Sequence, residues 1–211
     1  MINGSGGYRG TGATTGCRAE ENGGVPCSAA TSRFSRSRGL PRPAYDSWLA
    51  SLRGEGSSAG ARPARVLAWA AGDSDGEPAY CIGSPAAISH GTLAEWRHVG
   101  WHEIEHGGWN DELRRLTWVQ LDGRRGTVPL AEPGRLPELF RERVEATIVV
   151  RRFVPLSGER GAVISARRDL GAAGTIQWHT SLTRGLTWRT AGVREAVDEA
   201  LAETRAEYDF G

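Results

Sequence analysis

The chain has 211 residues, long enough for one domain of about 150 residues with additional segments. Its 26 basic residues are all arginine, set against 25 acids, and a net charge of +1 argues against recognition of nucleic acid by bulk charge. The charge is uneven: residues 1–65 carry 9 Arg and 4 acids (+5), and residues 66–211 carry 17 Arg and 21 acids (−4).

Residues 1–40 contain nine glycines, many Ser and Thr, and few large apolar groups, so they are expected to be a disordered tail that buries too little to offset its ordering entropy. Met1 is the only methionine, and translation is expected to start further in. Residues 41–64 read as a linker with a short helix around Tyr45 to Leu52, and 65–211 as a single α+β domain. Neither a secretory leader nor a run of about 20 apolar residues is present, so the expectation is a soluble cytoplasmic protein without a membrane span. Cys17, Cys27 and Cys81 have no paired spacing and suggest neither a disulfide framework nor a zinc ribbon.

Within the domain, Arg65 to Ala71 predicts a first strand, the turn signal Asp73 to Pro78 follows, and Ala79 to Ile82 predicts a second strand. Gly83, Pro85 and Gly91 break the next stretch. Leu113 to Leu121 predicts a strand with Leu116 and Trp118 on one face, Asp122-Gly123 a turn, and Thr127 to Leu130 another strand. Leu136, Leu139, Phe140 and Val144 recur at helical spacing over 135–146, with Pro137 in the opening turn. Three strands follow at Thr147 to Pro155, Ala162 to Arg168 and Thr175 to Leu182. A final amphipathic helix, Val193 to Tyr208, carries the stripe Val193, Val197, Leu201, Thr204 and Tyr208.

The one chemically explicit string is His102-Glu103-Ile104-Glu105-His106, H-E-x-x-H. On a helix the two histidines share a face and hold zinc, with the glutamate as general base. Here Gly100 and Gly107-Gly108 bracket the string, each costing a helix about 1 kcal/mol. Charged Glu105 and Gly108 also depart from the zinc-peptidase pattern. The string is therefore expected on a hairpin with His102 and His106 as neighbours, and His98, His102 and His106 as surface histidines. The doublets Arg151-Arg152 and Arg167-Arg168 are expected to present one arginine to each side of their strands, along a solvated or ion-paired sheet edge. Phosphate-binding loops, nucleophile elbows and dinucleotide fingerprints do not occur.

Val66-Leu-Ala-Trp-Ala70, Gly100-Trp-His-Glu-Ile104, Trp109, Leu116, Leu136 to Val144, Ala166-Arg-Arg168 and Trp178 stand in an order that resembles a family of uncharacterised bacterial proteins. The resemblance spans 66–211 and implies a PH-like small barrel over 65–146, followed by a strand and helix extension over 147–211. It implies no catalytic, cofactor-binding or metal-ligating residue and no cofactor. The reading that follows is a non-catalytic module for a protein partner or other ligand, with nucleic acid not expected as a partner. A zinc hydrolase using residues 102–106 and an arginine-mediated binder of phosphate or nucleic acid remain as alternatives.

Overall fold

A computed structural model describes residues 39–54, 65–74, 76–171 and 174–208; apart from its last two residues, the expected 1–40 tail lies outside them. The described residues form an α+β fold of three helices and three antiparallel sheets. The first sheet is β1 (Ala68–Ser74), β2 (Glu77–Gly83), β3 (Ala87–Gly91) and β4 (Trp96–Gly100), paired in chain order. A single 3-10 turn, Trp101–Glu103, leads into β5 (Ile104–Asn110), which pairs with β6 (Arg115–Gln120) and then β7 (Arg125–Pro129). Asp122-Gly123 makes the β6–β7 turn, where Gly123 has φ 86°, a left-handed value that glycine adopts without steric cost.

Alternation sorts the first sheet into two faces. Ala70, Cys81, Ile88 and Val99 point inward and share a core with Ile104, Leu116, Trp118 and Val128 of the second sheet. The helix α2 (Leu136–Thr147) closes one end of this double layer, since its apolar stripe sends Leu136, Phe140 and Val144 into the same core. Phe140 meets Trp101 edge-on at 5.9 Å between centroids and lies tilted against Trp118 at 6.3 Å. Burial pushes the Cys81 thiol pKa up, consistent with a core side chain and not a nucleophile.

The outer face of the first sheet is covered by α1 (Arg42–Gly54), a longer helix than the sequence suggests. Trp48, fully buried, packs against Ile82 and Trp96. The Ser47 hydroxyl accepts a hydrogen bond from Trp96 Nε1 at 2.9 Å, and Ser51 Oγ lies 3.1 Å from His98 Nε2. Arg38–Gly211 make one compact unit, so the helix expected inside a linker contributes to the core of the domain.

The third sheet pairs β10 (Ile176–Leu182), β9 (Arg160–Arg168) and β8 (Ile148–Ser157), with β9 central. The helix α3 (Val193–Glu207) packs Val193 and Val197 on Ala162, with Val154, Leu156 and Leu182 beside them. Its buried stripe is Val193, Val197, Ala200 and Thr204, while Leu201 is half-buried and Tyr208 is exposed. Ala200 thus takes the buried place on the stripe that was expected of Leu201. Among the described residues no helix is long and apolar enough to cross a membrane.

Candidate functional site

The H-E-x-x-H string is divided between two kinds of backbone. His102 and Glu103 belong to the 3-10 turn, and Ile104 to His106 begin β5, so the histidines do not share a helix face. Glu103 Oε2 accepts a hydrogen bond from the Gly100 N–H at 2.7 Å. The His102 ring packs over Gly100, where any side chain would collide with it, and its Nδ1 lies 3.6 Å from Asp169 Oδ1. Ile104 is core, and His106 is exposed with Nδ1 3.8 Å from Glu105 Oε2. Only His106 lies on the expected β5–β6 hairpin.

A bulge between Ile104 and His106 turns the Glu105 carbonyl toward the third sheet. There Arg167 donates from one guanidinium nitrogen to Glu105 O at 3.1 Å and from another to Thr147 Oγ1 at 3.2 Å. Arg167 is 4% exposed, which corrects the expected solvated edge; burial lowers its pKa, opposed by the Glu105 carboxylate. Its neighbour Arg168 is exposed, as one arginine per side requires. Arg151 is exposed, and Arg152 reaches α3, donating to Thr204 Oγ1 at 3.1 Å and lying 3.7 Å from both Glu203 and Glu207. Arg167 and the His102–Asp169 approach link the third sheet to β5, α2 and the 3-10 turn, whereas Arg152 ties β8 to α3.

A large polar cleft lies elsewhere, between the first sheet and the β6–β7 hairpin. It encloses about 680 Å³ and is lined by His90, Arg97 and His98 from the first sheet and by Gln120, Arg124 and Arg125 from the β6–β7 side. Inner-face alternation continues from Ile88 to His90 on β3 and from Val99 to Arg97 on β4, and His90 and Arg97 are cross-strand partners. Trp118 forms the floor, its ring edge-on to His90 at 5.2 Å. Gly126 is required beneath it, because a Cβ there would come within 2.1 Å of the indole.

No protein-family model, curated protein or solved structure matches the chain.

The cleft therefore has to be read from its own chemistry. Its lining presents three guanidiniums against one carboxylate, Glu103, which is already engaged by Gly100. Arg97 and Arg124 are steadied by carboxylates two residues away, Glu95 at 3.4 Å and Asp122. The backbone and side-chain hydrogen bonds of Arg124 hold the Asp122 carboxyl below the usual carboxylate range. Burial lowers the pKa of His90, with Arg97 and His98 adding to the effect, so this ring is neutral at pH 7. Sequence reading missed the cleft, although a signal existed: polar His90 and Arg97 occupy positions whose alternation asks for apolar side chains. Among the described residues no group of three or more His, Cys, Asp or Glu is arranged to hold a metal ion.

Proposed function

We propose that the chain is a non-catalytic, soluble cytoplasmic binding module with a PH-like barrel, and that the cleft between the first sheet and the β6–β7 hairpin receives its ligand. A four-stranded sheet, a three-stranded sheet and an end-closing helix follow in the order a PH-like barrel has, which supports that architecture. Fold analogy assigns no ligand by itself. The observation that carries the reading is the meeting of His90 and Arg97, from the first sheet, with Arg124 and Arg125, from the β6–β7 turn and the start of β7, around a preformed cleft of about 680 Å³, within the range of ligand pockets. Catalysis at His102 and His106 has less support, because a 3-10 turn followed by a strand lacks the i, i+4 face the chemistry needs. Phosphate or nucleic-acid binding through the arginine doublets is likewise less supported, since Arg167 is buried and Arg152 bonds α3.

The test is amide NMR of the full chain, titrated with short acidic, neutral and basic peptides alongside metal analysis. The expected result is saturable shifts centred on His90, Arg97 and Arg125, with no stoichiometric zinc. Shifts that avoid the cleft with every peptide, or one zinc per chain lost in His102→Ala with His106→Ala, would overturn the reading.

A further inference from the structure

Arg97 and Arg125 come from different sheets yet line the same cleft, beside Arg124. We infer that this cleft receives an acidic peptide segment of a partner protein, its carboxylates met by Arg97, Arg124 and Arg125. The inference rests on the binding-module reading and names the ligand class for the same site.

Arg97 stands at the open edge of the inner face, its side chain 72% exposed and paired, among the described residues, only with the equally exposed Glu95. The rim already accommodates carboxylates, since Glu95 and Asp122 sit against Arg97 and Arg124. Such exposed pairs are worth roughly 0–1 kcal/mol, so an incoming carboxylate can exchange for them. Arg125 makes no ion pair among the described residues, leaving a planar fork for bidentate contact. Gln120 and Thr127 also line the cleft and offer hydrogen bonds suited to a peptide backbone. The cleft volume suits several residues, not one ion. A long nucleic acid would meet a domain carrying 17 Arg against 21 acids over residues 66–211, whereas a short segment meets only the mouth, where Arg125 has no ion pair among the described residues and the pairs of Arg97 and Arg124 are exposed and exchangeable.

Fluorescence anisotropy of the full chain with a labelled hexaglutamate peptide tests the inference, with inorganic phosphate and a DNA oligonucleotide as parallel probes. Saturable peptide binding is expected, weakened by salt and reduced about tenfold or more in Arg97→Ala with Arg125→Ala, while Arg151→Ala on the third sheet binds as the unaltered chain. Arg97→Lys should retain part of the affinity, because it keeps the charge and loses the fork. Circular dichroism and the melting temperature establish that each variant is folded. Absence of saturable peptide binding, or equal binding by the double variant, overturns the inference. If phosphate or DNA binds in an Arg97-dependent way and the peptide does not, the acidic-peptide assignment falls and the binding-module reading stands. If no probe engages the cleft here and no peptide shifts it by NMR, both fall.

Discussion

Replacing Trp48 by alanine tests whether α1 is integral to the domain. Trp48 is fully buried against Ile82 and Trp96, and a tryptophan buries about 150–250 Å², worth about 4–6 kcal/mol at 25 cal/mol per Å². Against this, among the described residues nothing accepts a hydrogen bond from Trp48 Nε1, and a buried unpaired donor costs about 1–3 kcal/mol. The balance predicts a loss of about 3 kcal/mol for Trp48→Ala. For a folded part of this size that is a fall of about 6–12 °C in melting temperature. Trp48→Phe keeps most of the apolar volume and removes the orphan donor, so it should cost about 1 kcal/mol or less. Urea titration followed by circular dichroism measures both. A Trp48→Ala variant as stable as the unaltered chain would mean that α1 contributes nothing to folding. Equal losses in the two variants would show that the orphan N–H is not a liability.

Gly126→Ala should destabilise by about 1–3 kcal/mol in the same assay, because the new methyl overlaps the Trp118 ring, whereas Gly108→Ala, with open space around it, should be close to neutral. His90 and His179 both have pKa values lowered by burial from 6.5, so on acidification the unfolded chain binds protons before the folded one. Their contribution to stability is therefore full above about pH 6.5 and is lost as pH falls from there through their lowered folded-state values. Melting temperatures from pH 7.5 to 5.5 should show a shallower loss in His90→Gln than in the unaltered chain. Arg167→Lys should cost about 2 kcal/mol in urea, since an ammonium cannot reach Thr147 Oγ1 and Glu105 O as the guanidinium fork does. A loss under about 0.5 kcal/mol, the range of neutral surface changes, would mean that Arg167 does not secure the third sheet to β5 and α2.

Where a local pattern carried the information, the sequence was readable. The spacing of Leu136, Leu139, Phe140 and Val144 marks α2 to within a residue, and the alternation from Ile176 to Leu182 marks β10. Gly100 and Gly107-Gly108 correctly exclude a helix through the H-E-x-x-H string. What escaped depends on contacts remote in sequence. Tyr45, Trp48 and Leu52 have helical spacing, yet only the facing Ile82 and Trp96 make Trp48 a core residue. Arg167 looks like half of a surface doublet until the Glu105 bulge and Thr147 surround it. The division into three sheets, and the cleft that Arg97 and Arg125 share, follow from pairings that no single strand announces.

Trp118 is held between Phe140 of the closing helix and His90 of the open mouth. One indole is thus the common wall of two compartments, and Gly126 leaves it no slack on the strand below. The ring that lines the mouth is the same one against which Phe140 of α2 lies. Since α2 ends at Thr147 and β8 begins at Ile148, the helix and the third sheet are joined with no intervening residue. The residue that floors the cleft thus packs on the same helix that leads directly into the third sheet.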